Sequence, residues 1–431
     1  MARGVIAMPN ADYCAIDFGT SNSSVAVPHE DGVRLVTLEG AETSLPTAVF
    51  YDADDATRSY GRAALAHYVD GIEGRLMRSI KSILGSDLMD EATEIGAGQA
   101  VRYVDVVIAY LRHLRSRAEA ATGAAPRRVV LGRPVYFDDD DPERDRRAQD
   151  TLAEAARIAG FSDVRFQYEP IAAALEFESR STREHLVLVA DLGGGTSDFS
   201  VVRTSPQRHA RLDRRDDILA NHGVHVAGTD FDRTVNLTAI MPAFGYGSPG
   251  PDGRIVPSSV YFELATWHLI NAASTPLRIA ELRQMRSMYV DGLAHARLLH
   301  VLQARLGHLL AARAEAAKIA TSTSGATRID LDAVERGMSV AWDAARQDDA
   351  LDAELERIAS AARETVRRAG VRDTDVDVVY FTGGSTALGA LRARIGAALP
   401  LAQRVAGDRF ASVASGLGIY ARRLFDAAPH T

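Results

Sequence analysis

The sequence predicts an α/β protein built from two related halves. An apolar strand that runs into an acidic, glycine-containing bend occurs twice, at Asp17-Phe18-Gly19-Thr20-Ser21-Asn22 and at Asp191-Leu192-Gly193-Gly194-Gly195-Thr196-Ser197-Asp198. Each bend is followed by apolar residues of a returning strand. Length agrees with two lobes, since 431 residues exceed what one simple core holds at roughly 100 to 200 residues per domain. With 46% apolar and 25% charged residues, the composition is that of an ordinary globular chain. A net charge of −8 offers no broad basic field, which argues against nucleic acid as a partner. No run of ~18 apolar residues suits a membrane span, and the first residues lack a basic start with an apolar core. The expectation is a cytoplasmic protein with no membrane partner.

Taken in order, residues 13–27 read as a hairpin around the first bend, 33–36 and 48–51 as strands, and 61–68 and 75–84 as helical segments. Residues 101–121 place Val104, Val107, Ile108, Leu111 and Leu114 at helical spacing. Residues 128–132 form a short buried strand that Pro134 ends. The acidic run 138–141 reads as the solvated cap of a helix over 142–159, with Pro142 in its first turn. A helix starts at Glu169-Pro170 and leads to an apolar strand at 186–191. The pattern then begins again, through Val201 and Val202 to Gly228-Thr229-Asp230 and a helix. Residues 241–257 are rich in Gly and Pro, and the chain then turns helical through Trp267, 298–310 and 314–319, as an inserted subdomain would. Tyr261, Phe262 and Trp267 read as core of that insertion. A helix near 351–369, a strand at 376–381, a Thr382-Gly383-Gly384-Ser385 turn and terminal helices complete the chain. The predicted lobes are 1–190, with an insertion over about 45–120, and 191–431, with a largely helical insertion over about 241–330.

The two bends suit a polyphosphate. Glycine lets the backbone approach an anion and turn its N–H groups inward, and the hydroxyls of Thr20, Ser21 and Thr196 add donors. Aspartate repels phosphate but holds a divalent cation through its waters, so Asp17, Asp191 and Asp198 imply Mg²⁺. No Gly-x-x-x-x-Gly-Lys-Ser/Thr occurs, which excludes a P-loop. The third glycine turn, at Gly383, Gly384 and Ser385, suits close approach to a base or ribose. Only two of the 49 basic residues are lysine, Lys81 and Lys318. A compact ammonium does what a planar guanidinium cannot, which singles out both for a site role. Cys14 reads as a small buried hydrophobe, and His222 and His225 lack a third ligand for zinc.

These segments resemble one family. Residues 15–27 resemble the first phosphate motif of the DnaK-type heat-shock-70 chaperones, and residues 191–198 their second. Glu169-Pro-Ile-Ala-Ala-Ala resembles their first connecting motif, and Phe381-Thr-Gly-Gly-Ser-Thr their adenosine motif. The order and spacing also match, over nearly the whole chain. The resemblance implies the duplicated actin-like (ribonuclease H-like) fold, with two lobes and four subdomains around a nucleotide cleft. It implies ATP or ADP with Mg²⁺ as ligands, with K⁺ as a further candidate. Thr20, Ser21 and Asn22 would contact phosphates, Asp17 and Asp191 would hold Mg²⁺ through water, and Thr196 would lie near the γ-phosphate. Lys81 is similar to the family's catalytic lysine, Glu169 would order the attacking water or its metal, and Asp198 would be a base or a potassium and water ligand. Gly228, before Thr229, resembles the turn that closes over the phosphates. Glu315 and Lys318 would reach the ribose, and Ser322 the adenine. Two positions depart from the pattern: Ile319 stands where a basic residue usually stacks on adenine, and Phe410 opens a segment that usually begins with an acid. Neither the family's apolar linker nor its peptide-binding domain is expected, which resembles the short, single-module proteins of the YegD type. The implied function is a slow ATPase acting as a nucleotide-driven switch, with clients or co-chaperones as partners. A nucleotide-gated binding module without significant hydrolysis and an actin-like filament former are the alternatives.

Overall fold

The computed structural model describes residues 12–55, 57–96, 98–138, 141–408 and 411–426. The chain divides into two compact units, one of Met1–Val224, Ser360–Thr386 and Ile395–Thr431, the other of His225–Ala359 and Ala387–Arg394.

Two sheets of the same topology lie in the first unit. In one, Gly32–Leu35, Asn22–His29, Tyr13–Phe18, Arg128–Arg133 and Asp163–Tyr168 are neighbours in that order, with Ser44–Pro46 added against Asn22–His29. In the other the order is Ile218–Val224, Ser197–Thr204, His185–Leu192, Val378–Thr382 and Gln403–Ala406. Both run antiparallel, antiparallel, parallel, parallel across those neighbours. The repetition read from the two bends is thus a repetition of whole sheets. Asp17 and Asp191 occupy the same place in each, one residue before the end of the central strand.

Period-two alternation assigns the faces. On the strand Tyr13–Phe18, Cys14, Ile16 and Phe18 join one core with Val107, Leu111 and Leu114 of helix Tyr103–Thr122 and Leu152 of helix Pro142–Ile158. Tyr13 and Ala15 face the opposite way, into a second core with Val130. A strand covered on both faces needs a nearly continuous apolar sequence, and this one has it. The second core also takes Val187, Val189 and Val202 from the other sheet, so it is shared by both.

Two helices fill that shared core, Glu169–Glu178 and Ser412–Asp426. Their crossing is close. A methyl group at Gly416 would overlap the carbonyl oxygen of Ala172 on the facing helix. Small residues at such a contact let two backbones approach below the usual 8 to 10 Å between helix axes. The far end of helix Glu169–Glu178 is pinned by charge. Buried Glu178 accepts from Arg214 at 2.8 and 2.9 Å and from the Ser205 amide at 2.8 Å, and Arg214 also pairs with Asp217.

Most predicted elements occur within a residue or two of their expected ends. Asp141 caps the helix Pro142–Ile158 by accepting from the amides of Glu143 and Arg144, as an N-cap aspartate does. Two runs differ: the helical run expected over 298–310 breaks between helices Gly292–Gln303 and Gly307–Ser324, where Arg305 has φ 54°, and residues 75–84 form the strand Gly74–Arg78 and then a 3-10 turn, Ile80–Ile83. Gly74 lies so close to the Tyr51 carbonyl and the Phe50 ring that no side chain fits, and this β-pairing overrides local helical preference. The strand Asp163–Tyr168 and the hairpin Ala326–Asp330 with Ser339–Asp343 are not among the predicted elements, although Val164, Phe166 and Tyr168 alternate with polar residues as in a half-buried strand.

The second unit has a helical core built on Val260, Tyr261, Leu264, Leu298, Val301, Leu302 and Leu310. Tyr261 is fully buried and donates to the Phe244 carbonyl, whereas Phe262 is 44% exposed, so only one of that pair is core. No helix among the described residues is long and apolar enough to cross a membrane.

Gly416→Ala is expected to destabilise the protein by about 1 to 3 kcal/mol, since the added methyl has only backbone to displace. Denaturant unfolding of the two proteins measures it; equal midpoints at equal slope would remove the crossing's importance.

Candidate phosphate and metal site

The two bends meet within the first unit. Gly194 lies against Ser21 so closely that a methyl group there would overlap the Ser21 hydroxyl, and a methyl on Gly195 would stand 3.7 Å from Cγ2 of Thr20. The first bend is tight because Gly19 abuts the Asn22 carbonyl. The second closes on itself, the Gly193 amide donating to the Thr196 carbonyl at 3.0 Å. The third turn joins them. Gly383, with φ of +90°, rests on the Leu192 backbone, Gly384 opens a short 3-10 turn, and Ser385 donates to the Gly193 carbonyl at 2.6 Å.

Charged groups gather beside the bends. Lys81 Nζ donates to Glu169 Oε1 at 2.7 Å, with both side chains largely shielded. Ser79 places Lys81 there: its left-handed backbone, φ 58° and ψ 28°, ends the strand Gly74–Arg78 and starts the turn carrying the lysine. Few non-glycine residues adopt that conformation, and it costs of order 1 kcal/mol. Glu169 is the first residue of its helix, followed by Pro170, where an acid is favoured by the helix dipole. Asp198 pairs in register with Asp191, and its Oδ2 accepts from the Thr196 hydroxyl at 2.7 Å. Gly223, the strand partner of Asp198, leaves the carboxylate its space, since a methyl there would overlap Oδ1.

The charges do not balance. Burial pushes the Asp17 carboxyl up to about 7, helped by the Glu169 carboxylate and opposed by Lys81. Asp191 is held well above the ordinary carboxylate range by burial first, then by Glu169, Asp198 and Asp17. Burial alone would lower the Lys81 pKa, but Glu169, Asp17 and Asp191 together keep it above its usual value. One ammonium therefore serves a recess of several carboxylates, and that deficit of positive charge fits a divalent cation. Among the described residues no three His, Cys, Asp or Glu side chains converge closely enough to ligate an ion directly. The fit is accordingly to an ion held through its water shell, the manner Mg²⁺ favours.

In the second unit, Lys318 pairs with Asp232 at 2.7 Å and donates to the Gly228 carbonyl at 3.2 Å. It thereby ties helix Gly307–Ser324 to the first residue of helix Gly228–Val235. Ser322 donates to the Lys318 carbonyl at 2.8 Å. Glu315, Thr229 and Ile319 are exposed, and Phe410 lies outside the described residues. Thus Asp17, Lys81, Glu169, Asp191, Thr196 and Asp198 form one group with Gly19, Thr20, Ser21, Gly193, Gly194 and Gly195. Gly228, Lys318 and Ser322 form another. Sequence reasoning passes over Gly223 and gives Asp232 no role. Asp232 has a signal in the Gly-Thr-Asp-Phe-Asp run, while Gly223 has none, because a glycine in a strand advertises only that something comes near.

Paired sheets of identical order, each with an aspartate one residue before the end of its central strand and a glycine bend after it, define a duplicated α/β class suited to binding phosphate. A family profile described as Hsp70 protein matches residues 13–238, just over half of the chain. The chain belongs to the Hsp70 family, and its fold is the actin-like ATPase fold of that family's nucleotide-binding domain. Among curated proteins it is 32% identical over 290 residues to the chaperone protein HscA homolog of Laribacter hongkongensis, covering 63% of this chain and 44% of that one. It is 28% identical over 419 residues to the chaperone protein HscA of Pectobacterium atrosepticum, covering 91% of this chain and 55% of that one. The chain spans about half the length of these relatives.

A carboxyl that binds its proton more tightly when folded makes stability fall as pH rises through the interval between its two pKa values. For Asp17 the interval runs from ~4, the unfolded value, to about 7. Without ligand, Asp17→Asn is therefore expected to raise Tm by a few degrees at about pH 8, where the wild-type group is ionised and costly. Below about pH 4, where Asp17 is protonated in the folded and the unfolded chain and Asn mimics it, the difference should vanish. Thermal unfolding at both pH values tests this, and a Tm difference independent of pH would contradict a raised pKa.

Proposed function

We propose that this chain binds ATP with Mg²⁺ and hydrolyses it slowly, acting as a nucleotide-driven switch in the manner of the DnaK nucleotide-binding domain. Within the family we assign it to the YegD-like subgroup, whose pattern residues 261–271 resemble. The observation that carries the reading is the meeting of two glycine bends beside Asp17, Asp191, Glu169 and Lys81. Glycine bends alone would suit any phosphate, and carboxylates alone any cation. Together they suit a polyphosphate that arrives with its metal.

In this reading the backbone N–H groups of both bends and the hydroxyls of Thr20, Ser21 and Thr196 cradle the terminal phosphates. Asp17 and Asp191, with Asp198 beside them, would hold Mg²⁺ through its waters, and the ion would supply positive charge to neutralise the phosphates. Lys81 faces the γ-phosphate, its ammonium stabilising charge on the transferring oxygens and steadying the attacking water. Glu169 keeps the ammonium aimed and charged. Asp198, oriented by Thr196, takes the proton that the water loses, or holds a K⁺ ion at that place. Attack is in line: the water oxygen bonds to phosphorus as the bond to the ADP oxygen breaks, and catalysis is mostly positioning and charge stabilisation. The names of the relatives, both chaperone proteins, support client or co-chaperone proteins as partners. A cytoplasmic location belongs to the same proposal.

Isothermal titration with ATP, with and without Mg²⁺, followed by steady-state phosphate release, tests the reading. Lys81→Ala should lose phosphate release by at least about a hundredfold, a typical effect of removing one electrostatic stabiliser, while ATP binding stays measurable. Absence of ATP binding by the wild-type protein would overturn the function, and an undiminished rate in the variant would overturn the role of Lys81.

A further inference from the structure

Behind the first bend lies a residue that none of the motifs includes. Thr47 follows the strand Ser44–Pro46, is 3% exposed, and makes three hydrogen bonds toward the bend. Its hydroxyl donates to the Gly19 carbonyl at 2.8 Å, its amide donates to the Ser21 carbonyl at 2.8 Å, and its hydroxyl oxygen lies 2.9 Å from that of Ser23. A hydroxyl has one proton. Given to Gly19, it leaves the Thr47 oxygen to accept from Ser23, which fixes the direction of both groups. Tyr110 closes the arrangement from behind, donating to the Pro46 carbonyl at 3.0 Å.

The consequence follows from peptide planarity. In a trans peptide the C=O of one residue and the N–H of the next point in opposite directions. Holding the carbonyls of Gly19 and Ser21 toward Thr47 therefore turns the amides of Thr20 and Asn22 the other way. We propose that Thr47 is a positioning residue for the phosphate-binding bend, presenting the Thr20 and Asn22 N–H groups to an anion. The amide of Thr47 fixes one plane and its hydroxyl the other, so only the second can be removed by a side-chain substitution. Without that proton donor the Gly19–Thr20 plane is free to rotate, and Gly19 has no side chain to resist it. The cost falls on phosphate recognition and not on the base, because the affected donor belongs to the bend.

This inference rests on the nucleotide reading above, and the test separates the two. Affinities of the full chain for ATP with Mg²⁺, and for adenosine, are measured by titration for wild type, Thr47→Ser, Thr47→Ala and Thr47→Val. The Ser and Ala variants differ by one hydroxyl at equal backbone freedom, so they isolate the hydrogen bond should Val not fold. Expected is ATP affinity within about twofold of wild type for Ser and reduced about five- to tenfold for Ala and Val, the range of one net hydrogen bond to a positioned group. Adenosine affinity should be unchanged in all. Equal ATP affinity in Ser and Ala, or a parallel loss for adenosine, overturns the role of Thr47. No ATP binding by wild type overturns the nucleotide reading itself, and this inference with it.

Discussion

The close crossing of helices Glu169–Glu178 and Ser412–Asp426 is the constraint on which the first unit depends. Both sheets rest on these helices, so the separation of the helices sets how near the sheets can come. Gly416 over the carbonyl of Ala172 brings the two backbones into direct contact. The bends at the ends of the two central strands inherit that spacing. Gly194 can then lie on Ser21, and the carboxylates of Asp17 and Asp191 can sense each other. A bulkier helix pair would leave two ordinary hairpins.

Proximity of this kind costs stability. Carboxylates brought together out of water raise one another's pKa, and a single ammonium relieves only part of the repulsion. The carboxylates there carry an unmet demand for positive charge, whereas the far end of the same helix is charge-paired. Glu178, at the other end of the helix that begins with Glu169, has both carboxylate oxygens paired with Arg214. The buried ion group there fixes the helix along its axis, while the group at its start stays unbalanced. Removing one partner from the balanced group would leave an uncompensated charge, which is costlier than never having buried the pair.

The strained backbone at Ser79 belongs to the same economy of design. A left-handed serine directs the chain out of a strand and into the turn that delivers Lys81 to Glu169. Such conformations persist where surrounding packing over-determines them, and here the pairing of the strand Gly74–Arg78 with Ala48–Asp52 does so. The second unit uses its lysine differently, with Lys318 bridging Asp232 and the Gly228 carbonyl and so joining two helices.

Much of this was legible in the residues themselves. Asp17 and Asp191 with their glycines mark bends whose chemistry does not depend on what surrounds them, and the scarcity of lysine draws attention to Lys81 and Lys318. Apolar runs covered on both faces announce the central strands. Other features depend on partners distant in sequence. Residues 75–84 read as a helix because their local pattern permits one, and only the neighbouring strand decides otherwise. Gly223 matters because Asp198 lies opposite, and Thr47 because the Gly19 carbonyl turns toward it. The sequence by itself determined the phosphate-suited bends, the duplicated α/β plan and the residue types that carry charge. Tertiary structure alone decided that the bends meet, that Lys81 reaches Glu169, and that the carboxylates outnumber the cation. Spacing along a chain encodes local geometry, whereas the distance between two strands is set by the side chains, or their absence, in the layer between them.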